Sequence, residues 1–302
     1  MDLVILIGGT GLLGPTVVHE IECAGREVIC VNRSGKHPSN GRAEAVDRNS
    51  FDDLKRIFRR YSSFTLVDMI PYTARQAALL IEALDGNQPK IAAVSSIDVY
   101  QAYNNLHPQS RPVGELQEVP LHETSFLRDR LSFQGFEYDK LNVEHIYWSY
   151  FEVCTILRMP AIYGLPDTSR VERYFESLAL RREITLHSGL ANWKFSRSLN
   201  TNCAYAVALS LGHEKRAIYN VSEEKHYSEL EWCRVIADLM CVEANVKIDD
   251  ATPIPFSMNT DRQWTVDSSK IRAQLGYKEK YCTTTGLEEV ISELQTHNKS
   301  RQ

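Results

Sequence analysis

Three glycines, Gly8, Gly11 and Gly14, stand three residues apart within Gly8-Gly9-Thr10-Gly11-Leu12-Leu13-Gly14. Missing side chains let a backbone turn tightly, let a diphosphate approach it, and let a helix pack close to the strand before it. The chemistry this suits is anion binding, because a helix that starts at such a turn offers unpaired N–H groups and a positive dipole end. The spacing is G-x-x-G-x-x-G rather than the commoner G-x-G-x-x-G. Further on, Asn32-Arg33-Ser34-Gly35-Lys36 contains no acid. An Asp or Glu there would hold the hydroxyls of an adenosine ribose and repel a 2′-phosphate. Two cations and a hydroxyl suit a 2′-phosphate instead, which favours NADP over NAD. A solvated basic loop is the competing reading for Lys36.

The elements around these residues follow from the pattern. Leu3-Val4-Ile5-Leu6-Ile7 is an unbroken apolar run rich in β-branched residues and predicts a strand buried on both faces. Val17, Val18 and Ile21 share a helical face before Gly25, a helix stop. Arg26–Val31 and Ala43–Arg48 read as the second and third strands, with Asp47 either near an adenine or serving as a turn residue. A helix runs from Asn49 to about Arg60. Phe64–Ile70 is a fourth strand broken at Pro71, Ala74–Leu84 a helix, and Lys90–Ser96 a fifth strand. Gln101–Arg130 reads as a long loop, Tyr138–Tyr147 as a helix and Val153–Arg158 as a sixth strand. This alternation predicts an α/β fold with a doubly wound parallel (Rossmann) sheet. Residues 1–164 would form the dinucleotide-binding domain, with 198–222 returning to it. Residues 165–302 would form a smaller α/β substrate lobe over the carboxyl edge of the sheet, where ligands bind in open α/β folds.

The 302 residues are 43% hydrophobic and 24% charged, as in soluble globular proteins. No apolar run is long enough to cross a bilayer, and Met1-Asp2 leaves no room for a signal peptide before the first strand. A cytoplasmic protein is expected. The net charge of -5 gives no general attraction to nucleic acid or anionic membrane. Seven cysteines without a C-x-x-C pair read as reduced, mostly buried thiols. His122, His145 and His187 lack ligand spacing, so no metal site is expected.

Several further motifs occur in one order: Val94-Ser95-Ser96-Ile97-Asp98-Val99-Tyr100, Lys140 with Glu144, Leu157-Arg158-Met159-Pro160-Ala161-Ile162-Tyr163-Gly164, Ile218-Tyr219-Asn220-Val221 and Asp267-Ser268-Ser269-Lys270-Ile271-Arg272. With the glycine turn, they resemble the extended or atypical short-chain dehydrogenase/reductase proteins, in particular the NAD-dependent epimerase/dehydratase group. The resemblance spans almost the whole chain. It implies an enzyme using NADP or NAD on a sugar nucleotide or a similar polar alcohol or carbonyl compound. Ser96 matches the catalytic Ser or Thr, whose hydroxyl bonds the reacting substrate oxygen. Lys140 matches the family lysine, which holds the nicotinamide ribose and lowers the pKa of a neighbouring acid. The implied cofactor contacts are Gly8, Thr10, Gly11, Leu12, Leu13, Gly14, Asn32, Arg33, Ser34, Asp47, Ile70, Pro71, Ser95, Lys140, Pro160, Ala161 and Ile162. Arg197 sits where relatives place a basic residue for substrate phosphate, a surface arginine being the alternative. Relatives also dimerise through two helices, and here Ala74–Leu84 and Tyr138–Tyr150 would be the pair.

The chain departs from the family at one position. The catalytic tyrosine four residues before the lysine is replaced by Phe136, which carries no exchangeable proton. Tyr138 lies two residues before Lys140, nearly opposite on a regular helix, and serves only if the helix begins later or is distorted. A packing tyrosine is its other reading. Asp98, Tyr100 and Tyr163 are further acids within reach of the substrate pocket. The missing tyrosine motivates a second function: a non-redox dinucleotide-binding scaffold, a sensor, or an RNA-binding relative of the plastid stem-loop type. The negative charge counts against RNA.

Overall fold

Strand β1 (Leu3–Ile7) shows why the apolar run is unbroken: Val4 and Leu6 enter one buried cluster and Ile5 and Ile7 enter another, on opposite faces of a sheet. The structure, a computed structural model, describes residues 2–106, 117–129, 135–255 and 258–300. After β1 come α1 (Gly14–Cys23), β2 (Glu27–Asn32), β3 (Arg42–Ala45), α2 (Phe51–Arg60), β4 (Thr65–Asp68), α3 (Ala74–Leu84) and β5 (Lys90–Ser96). Next are α4 (Gln101–Leu106), α5 (Lys140–Tyr150), β6 (Cys154–Met159) and β7 (Ala161–Tyr163). The remainder comprises α6 (Ser169–Ala179), β8 (Ile184–Leu186), α7 (Ser188–Asn192), β9 (Arg197–Leu199), α8 (Asn200–Ser210), β10 (Ala217–Asn220), α9 (Glu229–Leu239), β11 (Val246–Ile248), α10 (Ser269–Leu275) and α11 (Thr283–Ser300).

Seven strands form one parallel sheet in the order β10-β6-β5-β4-β1-β2-β3. The winding reverses between β1 and β4, so the carboxyl ends of those strands open a crevice. Helices α1, α8 and α10 cover one face through Val17, Ile21, Ala204, Val207 and Ile271. Helices α2, α3 and α5 cover the other through Leu54, Ile57, Leu80, Val143 and Tyr147. Strand β10 and helix α8 belong to this layer although they follow the excursion through α6 and β8. The C-terminal lobe has its own core, in which α6, α9 and α11 pack around Trp232. The pairs β7–β9 and β8–β11 brace it.

The structure corrects several boundaries. The third strand ends at Ala45 rather than Arg48, because Asp47 starts a turn by accepting from the Asn49 amide at 2.9 Å. Gln101–Leu106 is helical rather than loop, whereas 107–116 and 130 of the expected loop lie outside the described residues. Helix α5 begins at Lys140, later than Tyr138. The Asp139 amide donates to the Tyr72 carbonyl at 2.7 Å and the Asp139 carboxylate accepts from the Asn142 amide, so Asp139 caps the helix and Tyr138 stays outside it. Four cysteines are buried, while Cys23, Cys241 and Cys282 are exposed. Among the described residues, no helix is long and apolar enough to cross a membrane, and no cluster of His, Cys, Asp and Glu has metal-binding geometry.

Candidate active site

The glycine turn lies at the carboxyl end of β1, with the Gly8 amide donating to the Val31 carbonyl at 3.0 Å. Gly8 has a φ of +96, and a side chain there would strike Ile70. A Cβ on Gly14 would come within 2.4 Å of the Gly9 backbone, so α1 rests directly on the turn. Gly11 faces open space, with nothing within 4 Å of its Cβ direction. Thr10 and Gly11 are exposed, Leu12 is half-buried, and Leu13 anchors the turn in the core. No side chain caps the start of α1, Pro15 has no amide hydrogen, and the Gly14 amide donates back to the Gly11 carbonyl at 3.1 Å, which closes the turn. This cradle fits a diphosphate.

At the end of β2, the Asn32 side chain shapes the next loop. Its amide donates to the Lys36 carbonyl and its Oδ1 accepts from the Ser34 hydroxyl, both at 2.8 Å. Arg33 is left exposed on that loop. Asp47 has its carboxylate turned to Asn49 and serves the turn. Beneath the crevice lies a pair that the sequence reading missed. Arg48 grips the Asp68 carboxylate at 2.8 and 3.1 Å and donates to the Ile70 carbonyl, while the Tyr147 hydroxyl donates to Asp68 at 2.6 Å. Ile70 and the buried Pro71 close this side of the turn.

The catalytic candidates converge at the carboxyl end of β5. The phenol of Tyr138 neighbours Ser96 and the Asp98 carboxylate. The Phe136 backbone lies in a short turn, Gly135–Glu137, and its side chain lies outside the described residues. Lys140 is buried, donates to the Val94 carbonyl at 3.0 Å, and holds its ammonium 4.7 Å from the Tyr72 ring centre and 5.9 Å from that of Tyr138. Burial lowers its pKa to about 8, against the opposing pull of Asp68 and Asp98. Burial raises the Asp98 carboxyl above its ordinary value and drives the Tyr138 phenol far up, the neighbouring Asp98 adding to the latter.

Three expected site residues are used elsewhere. Ser95 points to the opposite face of β5 and donates to Glu144, which holds the fully buried Arg158. Tyr100 is fully buried, donates to Asn220 at 2.6 Å, and carries the Arg158 guanidinium over its ring. Tyr163 donates to Glu223 at 2.8 Å and packs edge-on against Trp232 in the lobe core. None of the three lines the cavity described next, because strand alternation and core packing turn them away from it.

A cavity of about 620 Å³ opens beside Ser96, Asp98, Pro160 and Ala161. Its middle is apolar and aromatic, with Tyr103, Trp193, Phe195 and Trp264 among its walls. Charged groups also line it: Arg170, Arg173 and Arg197 beside one carboxylate, Glu229. Arg197 is buried rather than on the surface. It pairs with Glu229, donates to the Tyr227 carbonyl at 2.8 Å, and lies 3.7 Å over the Phe195 ring centre. Arg173 and the Tyr174 hydroxyl share that carboxylate. Arg170 donates to the Ile162 carbonyl at 2.8 Å. Register places Arg197 opposite Ala161 on β7. Sequence spacing gave no signal for the aromatic walls, which come from distant segments.

No protein-family model matches this sequence, and no curated protein matches it. Solved structures do match along nearly the whole chain. The UDP-N-acetylglucosamine 4-epimerase of Bacillus cereus superposes with a TM-score of 0.72 at 19% identity, over 98% of this chain and 100% of that one. A UDP-glucose 4-epimerase of Thermotoga maritima, solved with UDP-glucose, gives 0.74 at 16% identity, over 98% and 99%. The dTDP-glucose 4,6-dehydratase of Bacillus anthracis, solved with NAD, gives 0.73 at 14% identity, over 99% and 98%. At these identities the likeness carries the fold, which this chain shares from end to end.

Proposed function

We propose that this protein is a dinucleotide-dependent enzyme of the epimerase/dehydratase or reductase kind, acting on an alcohol or carbonyl carbon of a nucleotide-linked sugar or a similar polar compound. The observation that carries this reading is that Ser96 and Asp98 line one cavity at the end of β5 with the Tyr138 phenol and the buried Lys140 ammonium packed beside them, although the family's own tyrosine position holds Phe136. A late helix start returns a phenol to the site. The fold neighbours lend further support, since they are sugar-nucleotide enzymes, one of them solved with NAD.

In this reading the turn Gly8–Gly14 and the start of α1 hold the diphosphate, and Pro160, Ala161 and Ile162 flank the nicotinamide. A bound nicotinamide dinucleotide supplies hydride acceptance and donation. Ser96 bonds the substrate oxygen, and the neighbouring Asp98 and Tyr138 side chains handle its proton. Lys140 keeps a cation beside that set. The exposed Arg170 and Arg173 offer charge to a phosphate group, and the aromatic walls offer flat faces to a base. Arg33 and Ser34 favour NADP over NAD. Two copies would meet through α3 and α5.

Quenching of the tryptophan fluorescence by NADPH and NADH tests the cofactor assignment. NADPH should bind about tenfold more tightly, a difference of ~1.4 kcal/mol, and Arg33→Ala should erase it. Equal affinities would return the preference to NAD. Failure of both to bind would overturn the enzyme reading.

A further inference from the structure

Tyr138 neighbours Ser96, yet it does not line the substrate cavity; Ser96 and Asp98 do. Asp98 is only 5% exposed, and its Oδ1 is buried with no hydrogen-bond partner among the described residues. A buried carboxylate oxygen without a donor is costly unless something else supplies one. The cavity beside it is where such a donor would come from. Ser96 caps the turn that carries Asp98, the Asp98 amide donating to Ser96 Oγ at 3.3 Å. We infer that Asp98 is the group that takes the substrate's proton, and that Tyr138 is a neutral phenol packed beside that carboxylate.

This rests on the alcohol/carbonyl reading above. As the substrate carbon is oxidised, the substrate O–H bond breaks and its proton bonds to Asp98 Oδ1, leaving a neutral carboxylic acid. In the reduction direction the same proton returns to the carbonyl oxygen. Hydride loss or gain at carbon belongs to the nicotinamide, so Asp98 moves no electrons. The phenol of Tyr138 stays protonated throughout, because burial beside a carboxylate disfavours tyrosinate. The charged and titratable groups facing Asp98 are Tyr138, Tyr103, Arg128 and Lys140. The two cations favour the carboxylate and burial favours the acid. The net direction is upward, toward the range in which a base is useful near neutral pH.

The experiment pairs rescue with titration. Asp98→Ala should lose activity by about a thousandfold, within the usual range for a general base, and added formate or acetate should restore part of it through the vacated space. Tyr138→Phe should lose only about tenfold and keep the wild-type fall of activity at acid pH. The opposite ranking, with Tyr138→Phe abolishing activity and Asp98→Ala nearly unaffected, would overturn the assignment. So would a failure of small carboxylates to rescue folded Asp98→Ala. A second readout needs neither cofactor nor turnover. Ultraviolet titration of the free protein should show tyrosinate forming at lower pH in Asp98→Asn than in wild type, and Asp98→Asn/Tyr138→Phe should lack that step. An unchanged titration would sever Asp98 from Tyr138 even if the enzyme reading stands. A protein that binds no dinucleotide yet shows the shifted titration would sink the enzyme reading instead.

Discussion

At the scale of single residues, burial strains Lys140 electrostatically. Its folded pKa is lowered from 10.5 to about 8, while the unfolded chain keeps the ordinary value. Between those pH values the unfolded chain binds more protons, so stability must rise with pH across that window and stay level below it. The shift corresponds to a burial cost of about 3 kcal/mol at neutral pH. Urea denaturation of wild type and Lys140→Met, at pH about 7.5 and about 9.5, should show wild type gaining ~2 kcal/mol on the variant. Parallel pH dependence would show that the ammonium is not held in a dry site. Lys140 and Ser96 were readable from motif position. Asp98 was named from the sequence as an acid near the pocket, but its unpartnered oxygen was not readable, because hydrogen-bond partners come from other elements.

At the scale of elements, the turn before α1 separates two tasks among look-alike glycines. Gly14 is where helix and turn touch, and Gly11 is where the turn is open. Gly14→Ala must push α1 off the Gly9 backbone and should cost about 1–3 kcal/mol of stability, read as a lower denaturation midpoint. Gly11→Ala meets nothing and should leave stability within about 0.5 kcal/mol while weakening dinucleotide binding, since its methyl would stand where the diphosphate approaches. Equal stability losses for the two would refute the division of labour. The strand–turn–helix order was legible from Leu3 to Gly25. The start of α5 was not, because it depends on the Tyr72 carbonyl receiving the Asp139 amide across the crevice.

At the scale of the whole molecule, Glu144 and Arg158 tie α5 to β5, β6 and the Tyr100 segment through a pair that is almost wholly buried. Such a pair is costly to break one-sidedly and cheap to replace in full. Glu144→Leu should destabilise the protein by about 3–5 kcal/mol, and Glu144→Leu/Arg158→Met should recover most of that loss in thermal denaturation. A double variant no better than the single would mean that the pair acts through its hydrogen bonds to the surrounding backbone and not through charge.

The sequence alone determined the doubly wound sheet, the glycine turn, the position of Ser96 and Lys140, and a phenylalanine four residues before that lysine. Hydrophobic period, glycine spacing and motif order are local properties, and they survive without knowledge of neighbours. Only the tertiary structure decided that Tyr138 packs beside Ser96 and Asp98, that Ser95, Tyr100 and Tyr163 serve the interior, and that aromatic walls and three arginines line one cavity with Ser96. Those outcomes depend on which side chains meet after the lobe folds over the carboxyl edge of the sheet, and residues so far apart in the chain leave no periodic trace of meeting.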